Sequence, residues 1–195
     1  MSLKKASRLA VFAGALALSF NAAAAPLGAA PKPPAAETLS FYNTHTNERL
    51  NVVHRPGQAV SAETNWMMRD FRRRETATMD PKLFDLLYRL QIAIKARHPD
   101  LAVEFHIISA YRSPETNRNL RNAGGSQATK SLHMVGQAMD IRVPGLKVSE
   151  LRDIATCLQA GGVGYYGGTD NFVHVDTGAV RYWPSRAYLS GLRCG

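Results

Sequence analysis

The best helix pattern in this chain, the one with the longest apolar periodicity, divides the sequence in two. Asp80 can accept a backbone N–H ahead of a first turn opened by Pro81. Leu83, Phe84, Leu87, Leu90 and Ile94 then recur at helical spacing, and His98-Pro99 stops the run. His98 reads as a cation at the helix C-terminus, not as a ligand. Ahead of this helix, Leu39–Tyr42 and Leu50–Val53 are strand-like runs around a polar turn at Asn43–Arg49. Ser61–Phe71 is expected to be helical, with Arg69, Arg72, Arg73 and Arg74 as a solvated cationic end. Behind the long helix, Val103–Ser109 predicts a strand. Ser113-Pro114-Glu115 opens a helix to about Asn122, and Ser149 caps another through Leu158. Strands then cluster toward the C-terminus. That order is α+β, not a regular βαβ alternation.

The first residues stand apart from this domain. Lys4, Lys5 and Arg8 precede an apolar run from Leu9 to Phe20, and Ala22–Ala25 supply small residues for cleavage. This is the pattern of a secretory signal peptide, with the cut expected after Ala24. The run is short for a membrane span, so no stable span remains after cleavage. Residues 25–37 are rich in Ala and Pro and read as a spacer. The domain is expected over 38–195.

Charge narrows the partner. Lys and Arg number 24 against 15 for Asp and Glu, a net charge of +9. Such a surface suits nucleic acid, a membrane surface or an acidic polymer such as a cell wall. No sustained basic helix or zinc-finger spacing supports nucleic acid. In an exported chain, Cys157 and Cys194 can form one disulfide, and two free thiols are the alternative.

Three places carry candidate chemistry. In Ser131–Asp140, His133 and Asp140 are too far apart on one straight strand, at about 23 Å, and still about 10 Å apart on a helix. Gly136 solves this if it turns the chain, so that Ala138–Val143 returns as a strand with Asp140 on one face and Met139, Ile141 and Val143 on the other. In Asn171–Asp176, Val173 and Val175 alternate with His174 and Asp176. Two adjacent strands can bring His174 beside His133 and Asp140. Two His and one carboxylate leave a tetrahedral metal ion one open position. Structural histidines fit the same spacing. In Ser109–Ser113, Arg112 sits between a strand end and a helix cap, where it can meet a carboxylate or an oxyanion, or be an ordinary surface cation. The glycine-rich run Gly161–Gly168 lacks phosphate-loop spacing and reads as tight turns feeding the strand of His174. Trp183, Tyr165, Tyr166 and Tyr182 are expected to pack rather than to line a groove.

Ser-x-His-x-x-Gly-x-Ala-x-Asp, here Ser131–Asp140, and Ser-x-Tyr-Arg-Ser, here Ser109–Ser113, resemble the zinc D-Ala-D-Ala peptidases. That superfamily includes VanX-type dipeptidases, lysostaphin-related murein peptidases and the hedgehog signalling domain. The likeness is greatest to the murein endopeptidase K branch. Asp80–Asp85, Leu87–Gln91, Gly161–Tyr166 and Phe172–Gly178 also resemble it, so the likeness runs from about Leu39 to Trp183.

The resemblance implies a hedgehog-like fold: a small antiparallel sheet carrying the metal site, with helices packed on it. It implies Zn2+ held by His133, Asp140 and His174, with Arg112 polarising the scissile carbonyl or its oxyanion. It also implies a periplasmic endopeptidase, rather than a carboxypeptidase, that hydrolyses peptidoglycan peptide cross-links. VanX-type enzymes place a general-base Glu three residues before the last histidine ligand; here that position is Asn171. Asp176 is the first candidate for base or for orienter of His174, and Asp170 the second. The alternative function is a non-catalytic zinc protein that binds cell-wall peptide.

Overall fold

The computed structural model describes residues 35–184, together with Leu192 and Cys194. The expected signal peptide, and the expected spacer up to residue 34, lie outside the described residues. In chain order the elements are β1 (Glu37–Asn43), β2 (Arg49–His54), α1 (Ala62–Met67), α2 (Pro81–Arg97), β3 (Glu104–Ser109), α3 (Pro114–Asn122), a 3-10 turn (Leu132–Val135), β4 (Ala138–Arg142), α4 (Val148–Cys157), β5 (Gly162–Tyr166), β6 (Phe172–Asp176) and β7 (Arg181–Trp183).

α2 forms as its periodicity requires. Asp80 accepts the Lys82 N–H, and Leu83, Leu87, Leu90 and Ile94 are fully buried. Two other helices differ from expectation. α1 ends at Met67, because Asp70 pairs its backbone with Glu75 and its carboxylate takes the Arg72 N–H, which bends the chain away. α4 starts two residues early, at buried Val148, and no side chain caps it. The apolar contacts of Val148, Leu151, Ile154 and Ala155 set its start, not a Ser149 cap.

One sheet of seven strands runs in the order β2-β1-β3-β4-β6-β5-β7. It is larger than the small antiparallel sheet expected, and it is mixed: β1 is parallel to β3, and β5 is parallel to β7. The second parallel pair has a local cause. The chain leaves β6, crosses the start of β5 and pairs on the far side of that strand. A Cβ on Gly161 would collide with the Asp176 carbonyl and approach Thr177 Cα at 3.3 Å, so only glycine lets the crossing pass. Gly161–Tyr166 is therefore mostly a strand with a crossing at its start, not a set of turns.

Strand alternation sorts the sheet into two faces. Leu39, Phe41, Phe105, Ile107, Met139, Ile141, Val173 and Val175 are buried in the apolar core. Phe41 is central there, 6.1 Å from the Phe84 ring and 6.0 Å from Phe105. The alternate residues of β4 and β6, Asp140, His174 and Asp176, lie on the opposite face. A disulfide joins Cys157, the last residue of α4, to Cys194, with Cα atoms 5.3 Å apart.

Candidate metal centre

The turn before β4 is built for one purpose: to bring His133 back to Asp140. Ser131 Oγ accepts the His133 N–H at 3.3 Å, opening the 3-10 turn. Gly136 ends it at φ +69°, where a Cβ would lie 2.7 Å from the Thr78 carbonyl. Across the sheet, β4 and β6 pair antiparallel with Asp140 directly opposite His174. The three side chains converge. His174 Nδ1 lies 2.8 Å from Asp140 Oδ1, His133 Nε2 lies 3.1 Å from His174 Nδ1, and His133 Nε2 lies 3.3 Å from Asp140 Oδ1.

The outward ring atoms decide what the inward ones offer. His133 Nδ1 meets the Ala110 carbonyl at 2.7 Å, an acceptor only, so Nδ1 carries the proton and Nε2 faces inward with a lone pair. His174 Nε2 meets Asp176 Oδ2 at 3.0 Å, so its proton points outward too. Burial pushes the His133 imidazole down, with Asp140 only partly countering it. Burial also opposes charge on His174, but Asp140 and Asp176 outweigh it and raise that ring. Burial opposes ionisation of Asp140 as well, yet the two imidazoles hold it far below the usual carboxylate range.

Three acceptor atoms within 4.8 Å of one another form a donor set for a cation. A tetrahedral zinc with bonds of about 2.0–2.1 Å has ligand–ligand edges of about 3.3–3.4 Å. The inward atoms, at 2.8, 3.1 and 3.3 Å from one another, lie close to that spacing. The residues present fit such an ion.

Asp176 is held hard. It is 0 % exposed. Its Oδ1 accepts from Gly162 N, Gly178 N and Arg181 Nη1; its Oδ2 accepts from Arg181 Nη2 at 2.7 Å and from His174. Burial works against its charge, but these donors win and lower its pKa to about 2. Two glycines of β5 make this possible. A Cβ on Gly162 would lie 2.8 Å from Arg181 Nη1, and one on Gly164 would lie 2.6 Å from Trp183 Nε1. β7 side chains therefore reach over β5 to Asp176, and Trp183 reaches the His174 ring, 5.0 Å between centroids.

Arg112 closes another side. It is 7 % exposed, its N–H donates to the His133 carbonyl, and its Nη2 stands 3.4 Å from Asp140 Oδ2. Its Nε has no partner among the described residues. Burial lowers its pKa, against the pull of Asp140. Asp70 fixes this segment: its Oδ2 accepts from both Ser113 N (3.0 Å) and Ser113 Oγ (2.8 Å), while Ser113 caps α3. Sequence reasoning missed Asp70, whose only signal was an acid set among arginines.

These groups open onto a cleft of about 460 Å³. Tyr166, Phe172 and Trp183 line it, with Tyr166 stacked on Phe172 at 4.5 Å. Tyr165 and Tyr182 pack against the core instead. The packing expectation thus holds for two of the four aromatics and fails for Trp183 and Tyr166. Asn171 and Asp170 are exposed in the turn before β6, Asn171 at φ +52°, and neither lines the cleft.

The sequence model of the family described as "Peptidoglycan L,D-endopeptidase MepK" matches residues 32–183. The chain belongs to this family. Among its relatives, peptidoglycan L,D-endopeptidase MepK of Escherichia coli (strain K12) is 39% identical over 174 residues, 87% of this chain and 92% of the relative. The probable peptidoglycan L,D-endopeptidase MepK of Haemophilus influenzae is 37% identical over 157 residues, 78% of this chain and 80% of the relative. No solved structure matches the chain. The family is one of metal-dependent peptidases, and the convergent His133, Asp140 and His174 offer this member a place for the ion.

Proposed function

We propose that this chain is an exported, zinc-dependent peptidoglycan endopeptidase that acts in the periplasm on peptide cross-links of the L,D type named for its relatives. It is a hydrolytic enzyme of the cell wall by family. The observation that carries the zinc reading is the set of three inward-facing acceptor atoms on His133, Asp140 and His174. When bound, zinc would supply Lewis acidity, polarising a carbonyl and making water acidic near neutral pH.

The protein's own groups supply the rest. Arg112 lines the cleft with its Nη2 beside Asp140, a place from which its guanidinium can donate to an attacked amide oxygen as charge develops there. Asp176 is assigned to positioning. Its full burial, its five donors and its low pKa support an orienter of His174 over a proton acceptor for water. The exposed site of Asp170 gives that residue no comparable support. The aromatic wall excludes water from one side of the substrate.

The test is digestion of defined cross-linked muropeptides by the purified, signal-free protein. Cleavage at the cross-link, loss on chelation and recovery with zinc are expected. Zinc content without turnover would favour the non-catalytic binding protein instead.

A further inference from the structure

The four arginines between Arg69 and Arg74 have four different surroundings. Arg69 is buried, pairs with Glu48 at 2.8 Å and lies over the Trp66 ring. Arg73 bridges Glu75 at 2.6 Å and Glu115 at 2.9 Å. Arg74 turns back toward Trp66, 5.7 Å from its centroid. Arg72 alone faces the cleft. Its guanidinium lies 4.3 Å over the Phe71 ring, Phe71 stacks on His45 at 4.0 Å, and His45 Nε2 is tied to the Ile108 carbonyl at 3.0 Å. The side chain is thus supported on a layered platform.

Among the described residues no carboxylate lies within ion-pair distance of the Arg72 guanidinium or of Lys130, which lines the same cleft. The other cleft cations are committed: Arg112 to Asp140 and Arg181 to Asp176. Among the described residues, Asp140 is the only acid lining the cleft, and it belongs to the candidate metal centre. Arg72 also bears on Arg112 as a like charge, which opposes keeping both there without an anion. The facing wall, Tyr166, Phe172 and Trp183, is aromatic. One side of the cleft therefore suits an aliphatic stem, and the other lacks a negative charge.

We propose that Arg72, assisted by Lys130, forms a carboxylate subsite that selects cross-linked peptides bearing a free carboxylate near the scissile amide. This rests on the peptidase reading and adds to it the chemical feature that the cleft recognises. A guanidinium supported over an aromatic ring keeps its N–H donors available to such a group, and a charge-assisted contact of this kind discriminates acid from amide by about tenfold to a hundredfold.

The probes are a synthetic cross-linked stem peptide with one free carboxylate beside the cross-link and the same peptide with that group as a carboxamide. Wild type should favour the acid in kcat/KM by about tenfold to a hundredfold. Arg72→Gln should bring the acid-to-amide ratio close to one, Arg72→Lys should restore part of it, and Lys130→Gln should reduce it by less. Arg73→Gln, whose charge is already paired, should keep the ratio. An undiminished preference in Arg72→Gln, or no preference in wild type, overturns the subsite. The same two peptides are also titrated by fluorescence anisotropy into chelator-stripped wild type and Arg72→Gln. If wild type cleaves neither peptide, the peptidase reading falls, and the binding ratio still decides the subsite.

Discussion

Neighbouring residues of β4 live in opposite worlds. Ile141 is fully buried in the apolar core, while Asp140, one residue earlier, is a buried anion among two imidazoles and a guanidinium. β6 repeats the division, with Val173 and Val175 on one face and His174 and Asp176 on the other. The apolar face needs only volume and is held by non-directional burial. The polar face needs particular atoms at particular distances, because each buried polar group must find its partner. Loss of one group on the polar face should therefore remove function while the fold survives, and loss of volume on the apolar face should do the reverse.

Asp140→Ala gives the largest expected effect. With one of three ligands gone, the purified protein should lose its metal and its turnover, read by elemental analysis and muropeptide digestion. Full metal occupancy in this variant would break the comparison at its centre. Arg112→Ala should come next: metal retained, and about 2.7–4 kcal/mol of transition-state stabilisation lost, read as kcat/KM. Near-normal turnover would make Arg112 a packing residue.

Asp176→Asn should be milder. As an orienter, Asp176 gives a fall in metal affinity of about 10–100-fold on substitution, measured by chelator competition. A fall in kcat of about 10²–10⁴ at full metal occupancy would assign it proton transfer instead. On the apolar face, Ile141→Val should cost about 0.5–1.5 kcal/mol in denaturant unfolding and leave metal affinity unchanged. Altered metal affinity there would show that the two faces are coupled.

The smallest effect concerns acid stability. Burial opposes the charge on Asp70, but hydrogen bonds from Thr116, Ser113 and Arg72 outweigh it and lower its pKa. The unfolded chain therefore takes up this proton first as pH falls. Stability from Asp70 is complete above its ordinary carboxylate range and is lost as pH drops through the lower folded value. Asp70→Asn should flatten that acid limb in pH-dependent unfolding; an unchanged limb would remove Asp70 from the account.

Local signals carried much of the fold and much of the convergence of His133, Asp140 and His174. α2 was legible because its cap, its proline and its apolar period all lie within one segment. The turn at Gly136 was legible because only a reversal could join His133 to Asp140. Choosing His133, Asp140 and His174 over structural histidines took the resemblance, since spacing alone allowed both. Of the arginines at the end of α1, Arg72, Arg73 and Arg74 are exposed as a solvated run should be, but Arg69 is buried, because the acid that pairs with it, Glu48, is distant in sequence.

What the sequence by itself determined is the alternation that gives β4 and β6 one apolar and one polar face, the caps that start α2 and α3, and the residue types able to hold a cation. Those properties follow from short-range backbone geometry and side-chain chemistry. Only the tertiary structure decided that β7 crosses β5, that Gly162 and Gly164 clear a path for Arg181 and Trp183, and that Arg72 faces the cleft with no ion-pair partner among the described residues. Each of these depends on which distant strand or acid comes to lie beside the residue, and that is settled by packing the whole sheet at once.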